Sequence, residues 1–263
     1  DSDGIEGRVQ HLAAFRSTFA ARVGRFEEHP EGDAHTFGAI DIVSGEKMWE
    51  KMDEDPGDQP DARAFLTARM IDLLVGDFDR HRDQWRWAKM KGAEMWQPIP
   101  EDRDQAFIRF SGVIPGLGHL EQKRFVSFEE KYPHAQDITF NGRDGDRRIL
   151  AELDRSVWNE VVTDVHQRIT DAVIAEAVGS LPPPYRAIEG STVEACLRAR
   201  RDHLPDIADE FYRLLARRVD LRGTDRDDVV TIDHRDNGDV AVTIAARGAA
   251  TPYRRRVFHP GET

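Results

Sequence analysis

The sequence predicts an α+β protein that is mainly helical and has a small β module near its C-terminus. Apolar residues recur at spacings of three and four over 61–75 and 191–219, which is typical of one helix face. Two short aromatic and apolar runs, at 85–90 and 95–99, indicate a β-hairpin. Alternating residues over 229–245, around an Asp-Asn-Gly turn, indicate a second hairpin.

The order of these elements divides the chain into three regions. Residues 1–60 hold a helix over 9–26, a short β-run over 37–43 and a short helix capped by Ser44. Residues 61–219 form the helical body, and residues 220–263 form the β module, with a third strand over 253–258.

The first helix of the body has clear ends. Pro60 and Asp61 begin it, and Gly76 ends it as a left-handed C-cap glycine would. Further helices are predicted over 146–153, 156–169 and 170–181, with Ser156 and Thr170 as N-caps. Pro205 predicts a kink or break in the last helical region.

Composition excludes several classes of protein. The net charge is −12, which disfavours binding to a nucleic-acid backbone. The single cysteine, Cys196, rules out an intrachain disulfide and a multi-cysteine zinc site. No apolar run approaches the ~18 residues of a membrane span. Residues 1–8 lack the features of a signal peptide, and we expect the chain to be a fragment of a longer polypeptide with further domains.

Two acidic segments are the candidate site. Gly76–Gln84 (GDFDRHRDQ) follows the first helix of the body, and 101–107 (EDRDQAF) follows the hairpin. Because a hairpin returns the chain to where it left, we expect the two segments to be neighbours. Converging carboxylates repel one another unless a cation lies between them, and oxygen ligands suit Mg²⁺ or Mn²⁺.

Both segments resemble motifs of atypical kinases. Gly76–Gln84 resembles the G-[ND]-x-D-R-H-x-x-[NEQ] loop of phosphatidylinositol kinases, secretory-pathway kinases and spore-coat CotH kinases. The sequence DRDQAF over 102–107 is similar to their D-N-G-x-A-F segment. The chain also resembles, along most of its length, an uncharacterised bacterial family that carries GDWDRHEDQWRW and PIPRDRDQAF. The resemblance implies a kinase-like C-lobe, with 1–60 as a remnant or edge of an N-lobe.

The resemblance also implies roles for individual residues. Asp79 would be the catalytic base, and Gln84 and Asp102 would hold Mg²⁺ or Mn²⁺. Asp104 would add a ligand or hold Arg103. The residues that would support the loops are Asp77, Arg80, His81 and Arg103, with Arg80 in a buried pair with Asp72 or Asp77. ATP would supply a phosphoryl group to a hydroxyl-bearing acceptor, in the bacterial cytoplasm or periplasm.

Other interpretations remain open. No glycine-rich nucleotide loop and no strand lysine precede Asp79, and Lys47 and Lys51 lie in a predicted helix. We therefore expect either that the N-lobe was cut away from this chain, or that the domain is a degenerate pseudokinase or interaction domain of a larger envelope protein. A metal-dependent phosphohydrolase is a weaker alternative. The acidic segments are also compatible with a purely structural ion-pair network.

Several further residues have local interpretations. Trp85, Trp87 and Trp96 are expected in the hairpin core, with base stacking as the alternative. Residues 141–144 form a turn by composition, or the rim of the site. Arg147 and Arg148 are expected in solvent, with contact to an acidic or phosphate group as the alternative. The run Arg254-Arg255-Arg256 is expected on a solvated sheet edge.

Overall fold

The computed structural model describes residues 38–110 and 126–262, and it confirms an α+β, mainly helical protein with small antiparallel sheets. The helix predicted over 9–26 lies outside the described residues. The strands are β1 (Ala39–Ser44), β2 (Trp85–Met90), β3 (Trp96–Pro100), β4 (Asp228–His234), β5 (Val240–Ala246) and β6 (Arg254–Phe258). The α-helices are α1 (Gly45–Glu54), α2 (Ala62–Val75), α3 (Ala135–Ile138), α4 (Arg143–Ile149), α5 (Arg155–Arg168), α6 (Asp171–Gly179), α7 (Pro183–Asp202) and α8 (Leu204–Ala216).

The first sheet has the order β1-β2-β3 and is antiparallel throughout. Its hairpin is the one the sequence predicts, and Trp85, Trp87 and Trp96 are buried as hairpin core. The ring of Phe65, on α2, lies 4.6 Å from that of Trp85 and 5.8 Å from that of Trp87. Because β1 pairs with β2, the segment before residue 60 shares a sheet with the segment after it.

Helix ends follow the predicted capping residues with one exception. Ser44 accepts a hydrogen bond from the Lys47 amide, Asp61 caps α2, and Gly76 ends α2 at φ 75°. Thr170 caps α6 as predicted. The prediction for Ser156 is wrong, because Asp154 accepts from the Val157 amide and so begins α5 two residues earlier.

The core lies between α2, α5 and α8. Leu66, Met70 and Phe211 are fully buried there, and the Trp158 ring meets the Phe211 ring edge-on at 5.3 Å. The predicted break near Pro205 is confirmed, since α7 ends at Asp202 and α8 begins at Leu204. Within the described ranges, no helix is long and apolar enough to cross a membrane.

The C-terminal sheet has the order β4-β5-β6 and contains all three predicted strands. The expectation of a solvated basic edge is wrong for Arg254 and Arg256, which are 5% and 2% exposed. Alternate residues of a strand share a face, and this face of β6 is turned inward. Arg256 donates to the Tyr212 hydroxyl and to Glu262 there, at 2.9 and 2.8 Å.

Candidate active site

The site begins where α2 ends. Gly76 adopts the left-handed conformation, so the chain turns back and the Asp77 amide donates to the Asp72 carbonyl at 2.9 Å. The second loop returns to the same place, because the Phe107 amide donates to the Val75 carbonyl at 2.9 Å. The two acidic segments are therefore neighbours around the C-terminal end of α2, as the hairpin between them predicts.

A buried carboxylate organises the interior of the site. Asp72, fully buried, lies 3.1 Å from Arg69 Nη1, 3.2 Å from Arg80 Nε and 3.0 Å from Arg103 Nε. Arg69 also donates two hydrogen bonds to the Asp146 carboxylate, of 2.8 and 3.1 Å. Buried charges of this kind are stable only when each one is paired.

Arg80 joins the two loops. Its Nη2 donates to the Gln84 carbonyl at 3.1 Å, and its Nη1 donates to the carbonyls of Glu101 and of Asp102, the latter at 3.2 Å. The Glu101 amide donates in turn to the Gln84 carbonyl at 2.9 Å. The guanidinium also lies 4.6 Å from the centre of the Trp85 ring. The predicted buried pairing of Arg80 is present with Asp72 and, at 3.6 Å, with Asp77.

Two carboxyl groups of the site have raised pKa values. Burial, reinforced by the nearby Asp72 charge, raises the pKa of Asp77 to about 6 in spite of Arg80. Burial also raises the pKa of Asp146 to about 6, although the nearby charge of Arg69 acts to lower it. Asp77 Oδ1 accepts from the Asp79 amide at 3.2 Å, so Asp77 supports the loop from inside.

Asp79 lies at the edge of this network and is half-buried. Its Oδ1 accepts a hydrogen bond from Asn141 Nδ2 at 2.8 Å. The neighbouring Gly142 makes this approach possible, since a Cβ there would lie 2.6 Å from the Arg80 carbonyl oxygen. The segment 141–144 therefore lies against the first loop, which was one of the two interpretations of its sequence.

The predicted metal ligands differ in their surroundings. Gln84 is buried, and its Oε1 lies 3.3 Å from Arg80 Nη1, so a positive charge already faces that oxygen. Asp102 has a left-handed φ of 48° and its carbonyl is held by Arg80. Asp104 is exposed, and its Oδ1 accepts from Gln105 at 3.0 Å. In the part of the chain that the structure describes, no three His, Cys, Asp or Glu side chains are grouped as metal ligands.

The other two residues predicted to support the loops are His81, which contributes backbone hydrogen bonds, and Arg103, which contributes an ion pair. The His81 amide donates to the Asp79 carbonyl, and the His81 carbonyl accepts from the Gln84 amide, each at 3.1 Å. Arg103 reaches back to Asp72 rather than to Asp104. The two residues that the sequence did not connect with the site are Arg69 and Asp146. Arg69 gives one signal, a charged residue within the apolar stripe of α2, whereas Asp146 lies among other charged residues in α4 and gives no such signal.

Comparisons with known proteins give no relative. No family model, no curated protein and no solved structure matches this chain. The proposals below therefore depend on the residues and contacts of the chain itself.

Proposed function

We propose that this chain is a metal-dependent phosphotransferase of the atypical-kinase type, which moves a phosphoryl group from a nucleoside triphosphate to a hydroxyl acceptor. The observation that supports it best is the Arg80 guanidinium, which ties the Asp79 loop to the Asp102 loop through three backbone carbonyls. Phosphoryl transfer depends mainly on positioning and charge stabilisation, which fixed neighbouring acidic loops can supply.

Asp79 is the base in this proposal. Its carboxylate is half-buried and oriented by Asn141, and it stands outside the internally paired set of Asp72, Asp77 and Asp146. An oriented carboxylate at the edge of such a network can accept the proton of an incoming hydroxyl. The buried carboxylates are already paired with arginines and serve to hold the loops.

The donor set decides which residues would hold the cation. A divalent ion would neutralise charge on the transferred phosphates. Asp102 suits this role by residue type and by the fixed backbone on which it stands. Gln84 suits it poorly, since its oxygen faces the Arg80 guanidinium, and we assign Gln84 to positioning that guanidinium. Asp104 lies at the surface and is the weaker candidate for a further ligand.

A degenerate pseudokinase is the second candidate function. It is favoured by the contact between Gln84 and Arg80, which places a positive charge beside the predicted ligand oxygen. Lys47 and Lys51 lie in the helix α1, so neither is a strand lysine of the kind that binds phosphates in kinases. This candidate predicts no nucleotide turnover.

The deciding experiment is nucleotide turnover with Mn²⁺ or Mg²⁺, measured on the full chain and on three variants. Asp79→Asn and Asp102→Asn should each lower turnover by about 10²-fold or more, the scale of a lost acid–base or metal contact. Asp83→Asn, in the same loop but exposed beside Arg82, is the matched control and should keep it. Phosphate release that needs no acceptor would favour a phosphohydrolase, and full turnover in Asp79→Asn would refute the proposal.

A further inference from the structure

A cavity whose lining includes no residue of the two acidic segments lies between α1, the helix α4 and the segment that follows α8. Its volume is about 340 Å³, which lies in the range of small-ligand sites. The residues that line it are Trp49, Asp144, Arg147, Arg148, Arg218, Asp220 and Arg222. We call it the arginine pocket. Four arginines around one cavity make this part of the surface locally basic, although the chain as a whole has a net charge of −12.

The charges of the arginine pocket are not balanced. Arg148 pairs with Asp53 at 2.5 Å, and Arg218 pairs with Asp220 at 3.5 Å. Among the described residues, no carboxylate lies within ion-pair distance of Arg147 or Arg222. The guanidinium groups of Arg147 and Arg222 therefore line the cavity without an ion-pair partner. Asp144 is the one remaining carboxylate among the lining residues.

Donor atoms at the pocket also lack partners. Arg148 was expected in solvent, but that expectation is wrong, because its side chain is only 8% exposed. The Nε atoms of Arg147 and Arg148 are both buried and have no hydrogen-bond partner among the described residues. Buried donors of this kind are normally satisfied, so both Nε atoms have the capacity to bind an acceptor in the pocket.

The side of the pocket formed by Trp49 and Arg148 is held in place, whereas the side chains of Arg218 and Arg222 are exposed. Arg148 Nη2 donates to the Trp49 carbonyl at 3.0 Å, and its guanidinium lies 4.9 Å from the centre of the Trp49 ring. The segment after α8 is tied to α1, since the Asp225 amide donates to the Asp53 carbonyl at 2.6 Å and Arg226 pairs with Asp55. Preorganised donors lower the cost of binding an anion.

From the unpaired guanidinium groups of Arg147 and Arg222, the Nε donors without partners and the fixed position of Arg148 against Trp49, we propose that the arginine pocket binds a phosphate group. Guanidinium forks match the geometry of phosphate oxygens and bind them through paired hydrogen bonds. The Trp49 ring already faces the guanidinium groups of Arg82 and Arg148, each at 4.9 Å, so the pocket offers charge rather than a stacking surface. The ligand is free phosphate or a phosphomonoester, and the pocket shares no lining residue with the two acidic segments.

The test uses inorganic phosphate and glycerol phosphate as probes on the full chain, by calorimetric titration and by thermal unfolding at constant ionic strength. Phosphate should raise the midpoint of unfolding more than chloride does, because a ligand stabilises the state that it binds. Tighter binding of glycerol phosphate than of inorganic phosphate would identify a phosphomonoester as the ligand. The reverse order would identify free phosphate, and either order supports a phosphate site.

Variants locate the binding. Arg222→Gln, and the double variant Arg147→Gln with Arg222→Gln, should bind at least about tenfold more weakly. Arg168→Gln, on the exposed face of α5, makes the same charge change elsewhere and should bind as the parent does. Asp79→Asn should also retain binding, so failure of this proposal is distinguishable from failure of the phosphotransferase proposal. Equal affinity in the double variant, or no effect of phosphate beyond chloride, would overturn it.

Discussion

Asn141 donates a hydrogen bond of 2.8 Å to the Oδ1 atom of Asp79, across 62 residues of sequence. The contact brings the segment before α4 against the loop after α2, and it fixes one side of the carboxylate that we propose as the base. A hydrogen bond of this kind restricts the orientation of the carboxylate that accepts it.

Removing this contact should lower activity without unfolding the protein. We expect Asn141→Ala to reduce nucleotide turnover by about tenfold, because a hydrogen bond to a charged group contributes roughly 1.5–3 kcal/mol. The effect should appear in kcat rather than in KM alone. Asn159→Ala, on the exposed face of α5, is the control. Unchanged kcat in Asn141→Ala would show that Asn141 does not position a base.

The Asp72 carboxylate should be the most important charge for stability. Asp72→Asn leaves Arg69, Arg80 and Arg103 without their shared partner, and breaking a buried pair costs about 3–5 kcal/mol. Denaturant unfolding measures the loss. Asp164→Asn, an exposed partner of Arg168 on α5, should change stability little. A similar small change in both variants would contradict the role of the network.

The raised pKa of Asp77 predicts a specific pH dependence of stability. A carboxyl with a folded pKa of about 6, above its unfolded value, binds a proton more readily in the folded state. This stabilisation is present at low pH and is lost as the pH rises through about 6. Asp72, Arg80 and Arg69 are the charged groups around it.

Asp77→Asn removes that titration. The free energy of unfolding of the variant, relative to the parent, should therefore increase between about pH 4 and pH 6. Unfolding measured at several pH values gives this difference directly. Asp83→Asn, whose side chain is exposed, should show a flat difference over the same range. A flat difference for Asp77→Asn would mean that its carboxyl is not the titrating group.

Two glycines near α4 should respond in opposite ways to the same substitution. In Gly142→Ala the new Cβ would meet the Arg80 carbonyl oxygen at 2.6 Å, so the loop must move and stability and turnover should fall. Gly145, inside α4, has no atom within 4 Å of such a Cβ. Gly145→Ala should stabilise the helix by roughly 0.5–1 kcal/mol. Thermal unfolding of both variants tests the pair.

Local sequence signals predicted much of the fold. Apolar spacing, cap residues and turn residues act over a few positions, so they determined α2 and its Gly76 end, the Trp85–Met90 hairpin strand and all three C-terminal strands. The one wrong cap, Ser156, lies two residues after Asp154, which shows how neighbouring polar residues compete for the same role.

Local sequence signals could not predict which charged residues are buried by contacts with distant parts of the chain. Arg148, Arg254 and Arg256 look like surface residues in sequence, because charge usually indicates exposure. Their burial depends on partners such as Asp53 and Glu262, which only the folded chain brings near. The same limit applies to Arg69 and Asp146, which lie 77 residues apart.

The acidic segment after α2 and its partner after the hairpin were thus determined by the sequence itself, because a glycine cap and a hairpin fix where the chain turns. The tertiary structure decided what each acidic group does. It pairs Asp72, Asp77 and Asp146 with arginines in the interior, leaves Asp79 at the edge beside Asn141, and turns the Gln84 oxygen toward Arg80. The reason is that desolvation and pairing of charges depend on every group that folding brings within a few ångströms.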